Sequence, residues 1–83
     1  MKTKYKHIEF EWNGNWWMCL TRKFKMIIGY IYFDKNFNDI CYHAESSAIL
    51  DIESLDNIKN FILDLKCKII EEKYNEEDRK NRN

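Results

Sequence analysis

Apolar and polar residues alternate from the start of the chain. Lys6, Ile8, Phe10 and Trp12 interleave with His7, Glu9 and Glu11, the period of a strand with one buried and one wet face. Asn13-Gly14-Asn15 tolerates the positive φ of a tight hairpin, and residues 16–22 form a second strand. Two registers compete. A two-residue Asn-Gly loop pairs Trp12 with Asn15 and turns Trp16, Met18 and Leu20 to the Glu face, whereas a three-residue loop pairs Trp12 with Trp16 and turns them inward. A slip of one residue inverts a whole strand, so the hydrophobic pattern is weighted above the turn. That selects the three-residue loop and leaves Trp17, Cys19 and Thr21 facing out.

Residues 26–33, Met-Ile-Ile-Gly-Tyr-Ile-Tyr-Phe, are apolar at nearly every position and read as a central strand covered on both faces. Residues 34–39 have loop chemistry, and 40–45 return as a fourth strand. Residues 48–50 form either a short fifth strand or a packed link. Ser54 is the expected helix N-cap, with Asp56 in the first turn, and neither Pro nor Gly interrupts the chain beyond it. Leu55, Ile58, Phe61, Ile62, Leu65 and Ile69 fall in a sector of about 120° at 3.6 residues per turn. The pattern predicts an α+β fold: an antiparallel β-meander of four strands, or five, followed by one long C-terminal α-helix packed on one sheet face. Residues 1–74 make a single domain and 75–83 a polar, frayed tail. Ile8, Phe10, Ile28, Ile58, Ile62 and Leu65 are the expected shared core.

Composition narrows the class. Eighty-three residues leave room for one core, and a hydrophobic share of 45% favours order over disorder. Fourteen cations balance fourteen carboxylates, which removes the strongly basic total of many nucleic-acid binders. No stretch approaches the roughly 18 apolar residues of a membrane span, and no apolar run follows the N-terminal lysines. No membrane partner is expected, and a cytoplasmic location is. Cys19, Cys41 and Cys67 are odd in number and lack CxxC spacing, as reduced thiols do. The initial Met, the lack of proline and the abundance of Lys, Asn and Ile fit a complete small reading frame from an AT-rich genome or mobile element.

Three surface features are candidates for function. Leu63, Cys67, Ile70 and Tyr74 recur at i, i+4, i+7 and i+11 and make a second apolar stripe opposite the first, which a one-layer sheet leaves in water. Trp17, Ile27, Ile31 and Phe33 are expected to share the sheet face away from the helix, with Trp17 and Phe33 as contact anchors. Lys4, Lys6, Arg22, Lys23 and Lys25 gather at the open end of the first hairpin beside Tyr5 and Phe24, a set suited to phosphates and bases. Cys41 and His43 share a strand face, with His7 and Cys19 as neighbours. Structural zinc draws its ligands as close pairs from tight turns, however, so no metal and no cofactor is expected. A phosphate loop, an HExxH helix and a nucleophile elbow are all lacking, so no catalytic residue is assigned and no enzyme is expected.

These readings lead to a small non-catalytic protein-binding module whose partner is another protein or a second copy paired through the helix as a homodimer. In size and style it is like the small inhibitors that phages and mobile elements encode to occlude a larger host protein. The alternative is a small nucleic-acid-binding protein using the basic end of the first hairpin.

Overall fold

Asn13 decides how the chain first reverses. In the computed structural model, which describes the backbone of residues 1–80 and the side chains of residues 1–73, Asn13 Oδ1 accepts hydrogen bonds from the backbone N–H groups of Asn15 and Trp16, both at 2.9 Å. Gly14 takes φ +102°, a region that costs glycine little. The loop thus spans residues 13–16, and Trp12 pairs with Trp17, Phe10 with Cys19 and Ile8 with Thr21. Four antiparallel strands follow one another across a single sheet: β1 (Ile8–Trp12), β2 (Trp17–Thr21), β3 (Ile27–Asp34) and β4 (Asp39–Ala44), in the order β1-β2-β3-β4. One helix, α1 (Ile52–Lys80), completes the α+β fold.

This register corrects the expected one. Trp17 and Cys19 face the helix: Cys19 is fully buried, and Trp17 sets its ring edge-on to Phe61 at 5.2 Å. Ile31, expected outside, is buried in the core, and Phe33, of the same strand parity, borders a crevice with Trp17, Ile40, Leu65 and Ile69 that also reaches Trp16 and Tyr32 of the other face. Trp16 takes the opposite face. Either register turns a tryptophan and further apolar residues inward, so the hydrophobic pattern separates the two weakly and the Asn13 turn decides. A register shift between Cys19 and Leu20 interrupts the alternation, and Leu20 is buried as well.

The core is built on ring contacts. Phe10 stacks on Phe61 at 4.0 Å and 6°, and Tyr5 meets Phe10 edge-on at 5.8 Å. Ile8, Ile28 and Ile58 are buried around them, with Ile62 and Leu65 packed against the group. Gly29 is required where it stands, because a Cβ there would run into the ring of Tyr42. The Tyr42 hydroxyl in turn donates to the Ile28 carbonyl at 2.9 Å.

Two boundaries differ from expectation, and a third is decided between its two alternatives. The first residues fold back along β1, with Phe10 N–H donating to the Thr3 carbonyl and Tyr5 N–H to that of Ile8, so this sheet edge is covered. The N-cap is Asp51, whose Oδ1 accepts from Ser54 N–H at 2.8 Å; Ser54 lies buried inside the first turn. Residues 48–50 form a link, with Ala48 and Leu50 packed on the core and Ile49 exposed. Leu55 and Ile69, at the two ends of the expected stripe, are about half exposed. Helix length explains Ile69: 29 residues at about 1.5 Å each span roughly 43 Å, whereas the eight residues of β3 span about 26 Å. The helix overshoots its sheet. Among the described residues no helix is long and apolar enough to cross a membrane.

Candidate interaction face

With Cys19, Trp17 and Ile31 turned toward α1, the opposite face of the sheet carries the other half of the strands' side chains. Pairing sets them in a row across all four strands, Glu11 beside Met18, Met18 beside Tyr30 and Tyr30 beside His43. Trp16 and Tyr32 stand one step along. Trp16 meets Tyr30 at 90° with 6.0 Å between ring centres and Tyr32 at 49° with 6.2 Å. His43 lies flat on Tyr32 at 3.8 Å. Asn15, Trp16, Tyr30, Tyr32 and Phe33 line an open groove of about 660 Å³. Trp16 and Tyr32 remain about two-fifths exposed and Phe33 more than half.

The charges on this face are one-sided. The four strands contain Glu9, Glu11, Asp34 and Asp39 and no lysine or arginine. Glu9 is almost wholly buried and pairs with Lys25, which reaches back from the β2–β3 loop with φ 56°. Lys66 of α1 binds Asp39 at 2.9 Å and holds its carboxyl below the usual carboxylate range. Asp34 Oδ1 accepts from the N–H groups of Asn36 and Phe37 in the β3–β4 turn, while its Oδ2 lies 3.8 Å from His43 Nε2. Glu11 is exposed and has no ion-pair partner among the described residues.

The other candidate residues are dispersed. Leu63, Cys67 and Ile70 are exposed on α1, a thin row set among charged neighbours; the side chains of Tyr74 and of the expected tail lie outside the described residues, while the backbone of α1 runs on to Lys80. Of the five basic residues two are engaged: Arg22 Nη1 donates to the Tyr5 carbonyl at 2.9 Å and Lys25 holds Glu9. Lys4, Lys6 and Lys23 are exposed, with Lys23 lying over the Phe24 ring. Cys19 and Cys41 are on opposite sides of the sheet, so a Cys₂His₂ set does not assemble. His7 instead lies with Asp51 and Glu53, their ligand-type atoms within 4.8 Å of one another, all exposed. Asp51 there is explained by its cap, and the Ser54 side chain and N–H lower its pKa. Burial pushes the Cys19 thiol up to about 12 and, with the charges of Cys19 and Glu45, raises the Tyr42 phenol.

The face built on Trp16, Tyr30, Tyr32 and His43 differs from the outer face that the three-residue hairpin register predicts, because the observed register is the inverse. The signal was present: Tyr30 and Tyr32 have the parity opposite to Gly29 and Ile31, and Asn13 is a strong turn former. Comparison of the chain with protein-family models, curated proteins and solved structures finds no match.

Proposed function

We propose that this chain is a non-catalytic protein-binding module whose working surface is the open sheet face. The observation that supports this reading is the group of rings at Trp16, Tyr30 and Tyr32, with His43 stacked on Tyr32, along an open groove on a sheet whose other side is anchored by α1. Water-facing tryptophan and tyrosine on a rigid support bury much area at small entropic cost when a partner covers them. The helix row of Leu63, Cys67 and Ile70 is a second, narrower contact. Such a module acts by occluding a larger protein, as small phage and mobile-element inhibitors do, or by pairing with itself through α1. Three free thiols suit a reducing cytoplasm. The basic hairpin end supports nucleic-acid binding less well, since Arg22 and Lys25 are already engaged.

Two double variants test the assignment, Trp16→Ala with Tyr32→Ala on the sheet and Leu63→Glu with Ile70→Glu on the helix. Each is compared with the parent chain for partners recovered from the source cell and for sedimentation. Selective loss in the sheet variant is the expected result. Selective loss in the helix variant moves the site to α1, and unchanged recovery and sedimentation in both removes the reading.

A further inference from the structure

We propose that the segment bound on the open sheet face is basic: an extended stretch of a partner protein that lays an arginine or lysine across the Trp16–Tyr32 rings with Glu11 beside it. This rests on the protein-binding reading and names the chemistry of the partner.

Two independent features converge on a cation. The first is the arrangement of the rings. Trp16 stands at 90° to Tyr30 and at 49° to Tyr32, so it stacks flat on neither, and Trp16 and Tyr32 line the groove while about two-fifths exposed. His43 lies flat on Tyr32 at 3.8 Å, and Tyr32 still keeps about two-fifths of its surface exposed to a ligand. A cation over the face of a tryptophan or tyrosine is attracted by the ring quadrupole, and the flat guanidinium of arginine also stacks there.

The second feature is charge. The strands carry carboxylates and no lysine or arginine, and among the described residues two of the carboxylates have a lysine counter-ion, Lys25 for Glu9 and Lys66 for Asp39. Glu11 and Asp34 flank the rings: Glu11 lies in the cross-strand row of Tyr30 and His43, and Asp34 keeps Oδ2 near His43. A basic segment meets complementary charge along this face. A phosphate backbone meets repulsion, although aromatic rings alone would stack bases as well. An acidic segment is likewise disfavoured.

The test uses the full chain and four probes: a short peptide alternating arginine with serine, the same peptide with citrulline for arginine, one with glutamate for arginine, and single-stranded oligothymidine. Binding is read by titration calorimetry and by quenching of tryptophan fluorescence. The arginine peptide is expected to bind most tightly and to weaken with added salt. Glu11→Gln should weaken it roughly two- to five-fold, and Trp16→Ala roughly ten-fold. Equal binding of the citrulline peptide, preference for the glutamate peptide or the oligonucleotide, or an unchanged affinity in Glu11→Gln overturns the basic partner. If a neutral or acidic peptide binds and Trp16→Ala abolishes it, the face still binds protein and only the charge assignment fails. Failure of every peptide overturns this proposal, and the recovery experiment on the Trp16/Tyr32 variant then decides the broader reading separately. Concentration-dependent association of the chain alone, abolished by Trp16→Ala, gives the face to a second copy and overturns the proposal too.

Discussion

The two faces of the sheet are made of the same kinds of residue and end in different states. On one, Phe10 and Trp17 meet Phe61 of α1, Tyr5 meets Phe10 edge-on, and all three lose nearly all or most of their contact with water. On the other, Trp16 packs edge-on or tilted against Tyr30 and Tyr32, His43 lies flat on Tyr32, and all four remain partly wet. The difference lies in what lies above each face, since a single helix covers only one side of a sheet. Aromatic content therefore says little about which face is the core, and the covering element decides.

The largest effect is expected where the helix meets the sheet. Phe61 is fully buried between Phe10 and Trp17, and Phe61→Ala removes the ring on which both rest. Loss of about 3–5 kcal/mol is expected for such a truncation, a large part of the stability of a domain this small. Thermal melting followed by circular dichroism measures it, and a melting temperature within a degree or so of the parent would contradict the packing.

The adjacent tryptophans give the sharpest contrast. Trp17→Ala empties part of the core and should cost about 2–4 kcal/mol, whereas Trp16→Ala removes only ring contacts on the open face and should cost about 1 kcal/mol or less. Denaturant unfolding of both variants reads the difference. Equal losses, or the reverse order, would restore the three-residue hairpin register and exchange the two faces.

That contrast also marks how far the sequence could be read. The meander, the helix, the core place of Phe10 and the sheet-facing stripe that holds Phe61 followed from periods of 2 and 3.6, because those patterns repeat over many residues; that Phe61 is the centre of the core did not. The face of β2 rested on one turn. With Trp16, Met18 and Leu20 on one parity and Trp17 and Cys19 on the other, apolar area discriminates poorly, and the hydrogen bonds from Asn15 and Trp16 to Asn13 Oδ1 carry the choice. The fold-back of the first residues was hidden for a similar reason, since backbone hydrogen bonds such as Phe10 to Thr3 leave no mark in side-chain pattern. The helix row at Leu63, Cys67 and Ile70 was legible because an uninterrupted helix has a single period.

A smaller effect is expected at the buried carboxylate of the open face. Among the described residues Glu9 Oε1 has no hydrogen-bond donor other than the facing Lys25 ammonium, and Lys25 is itself more than half exposed, so water partly screens the pair. Lys25→Met leaves the carboxylate buried without its counter-ion, with an expected loss of about 1–3 kcal/mol. Adding Glu9→Gln removes the charge and should recover part of that loss. Additive losses in a double-mutant cycle would show that the pair is uncoupled.

The smallest effect separates the faces by thiol chemistry. Cys19 lies on the covered face with no exposed surface, Cys41 on the open face is partly accessible, and Cys67 on α1 is exposed. An aromatic disulfide reagent at mildly alkaline pH should label Cys67 first, Cys41 next and Cys19 only with unfolding, because the attacking species is the thiolate and burial keeps Cys19 protonated. The same burial sets a pH dependence. The folded Cys19 pKa, about 12 against an ordinary 9.0, means that between these values the folded chain holds a proton that the unfolded chain releases. Folding then binds more protons than unfolding, so stability falls as pH rises through this window and is fully present below it. Cys19→Ala should remove that part of the alkaline slope while Cys41→Ala leaves it intact, as read by urea midpoints at pH values across the window. Rapid labelling of Cys19 in the folded chain, or an unchanged slope in Cys19→Ala, would place this thiol on the open side of the sheet and return Trp17 there with it.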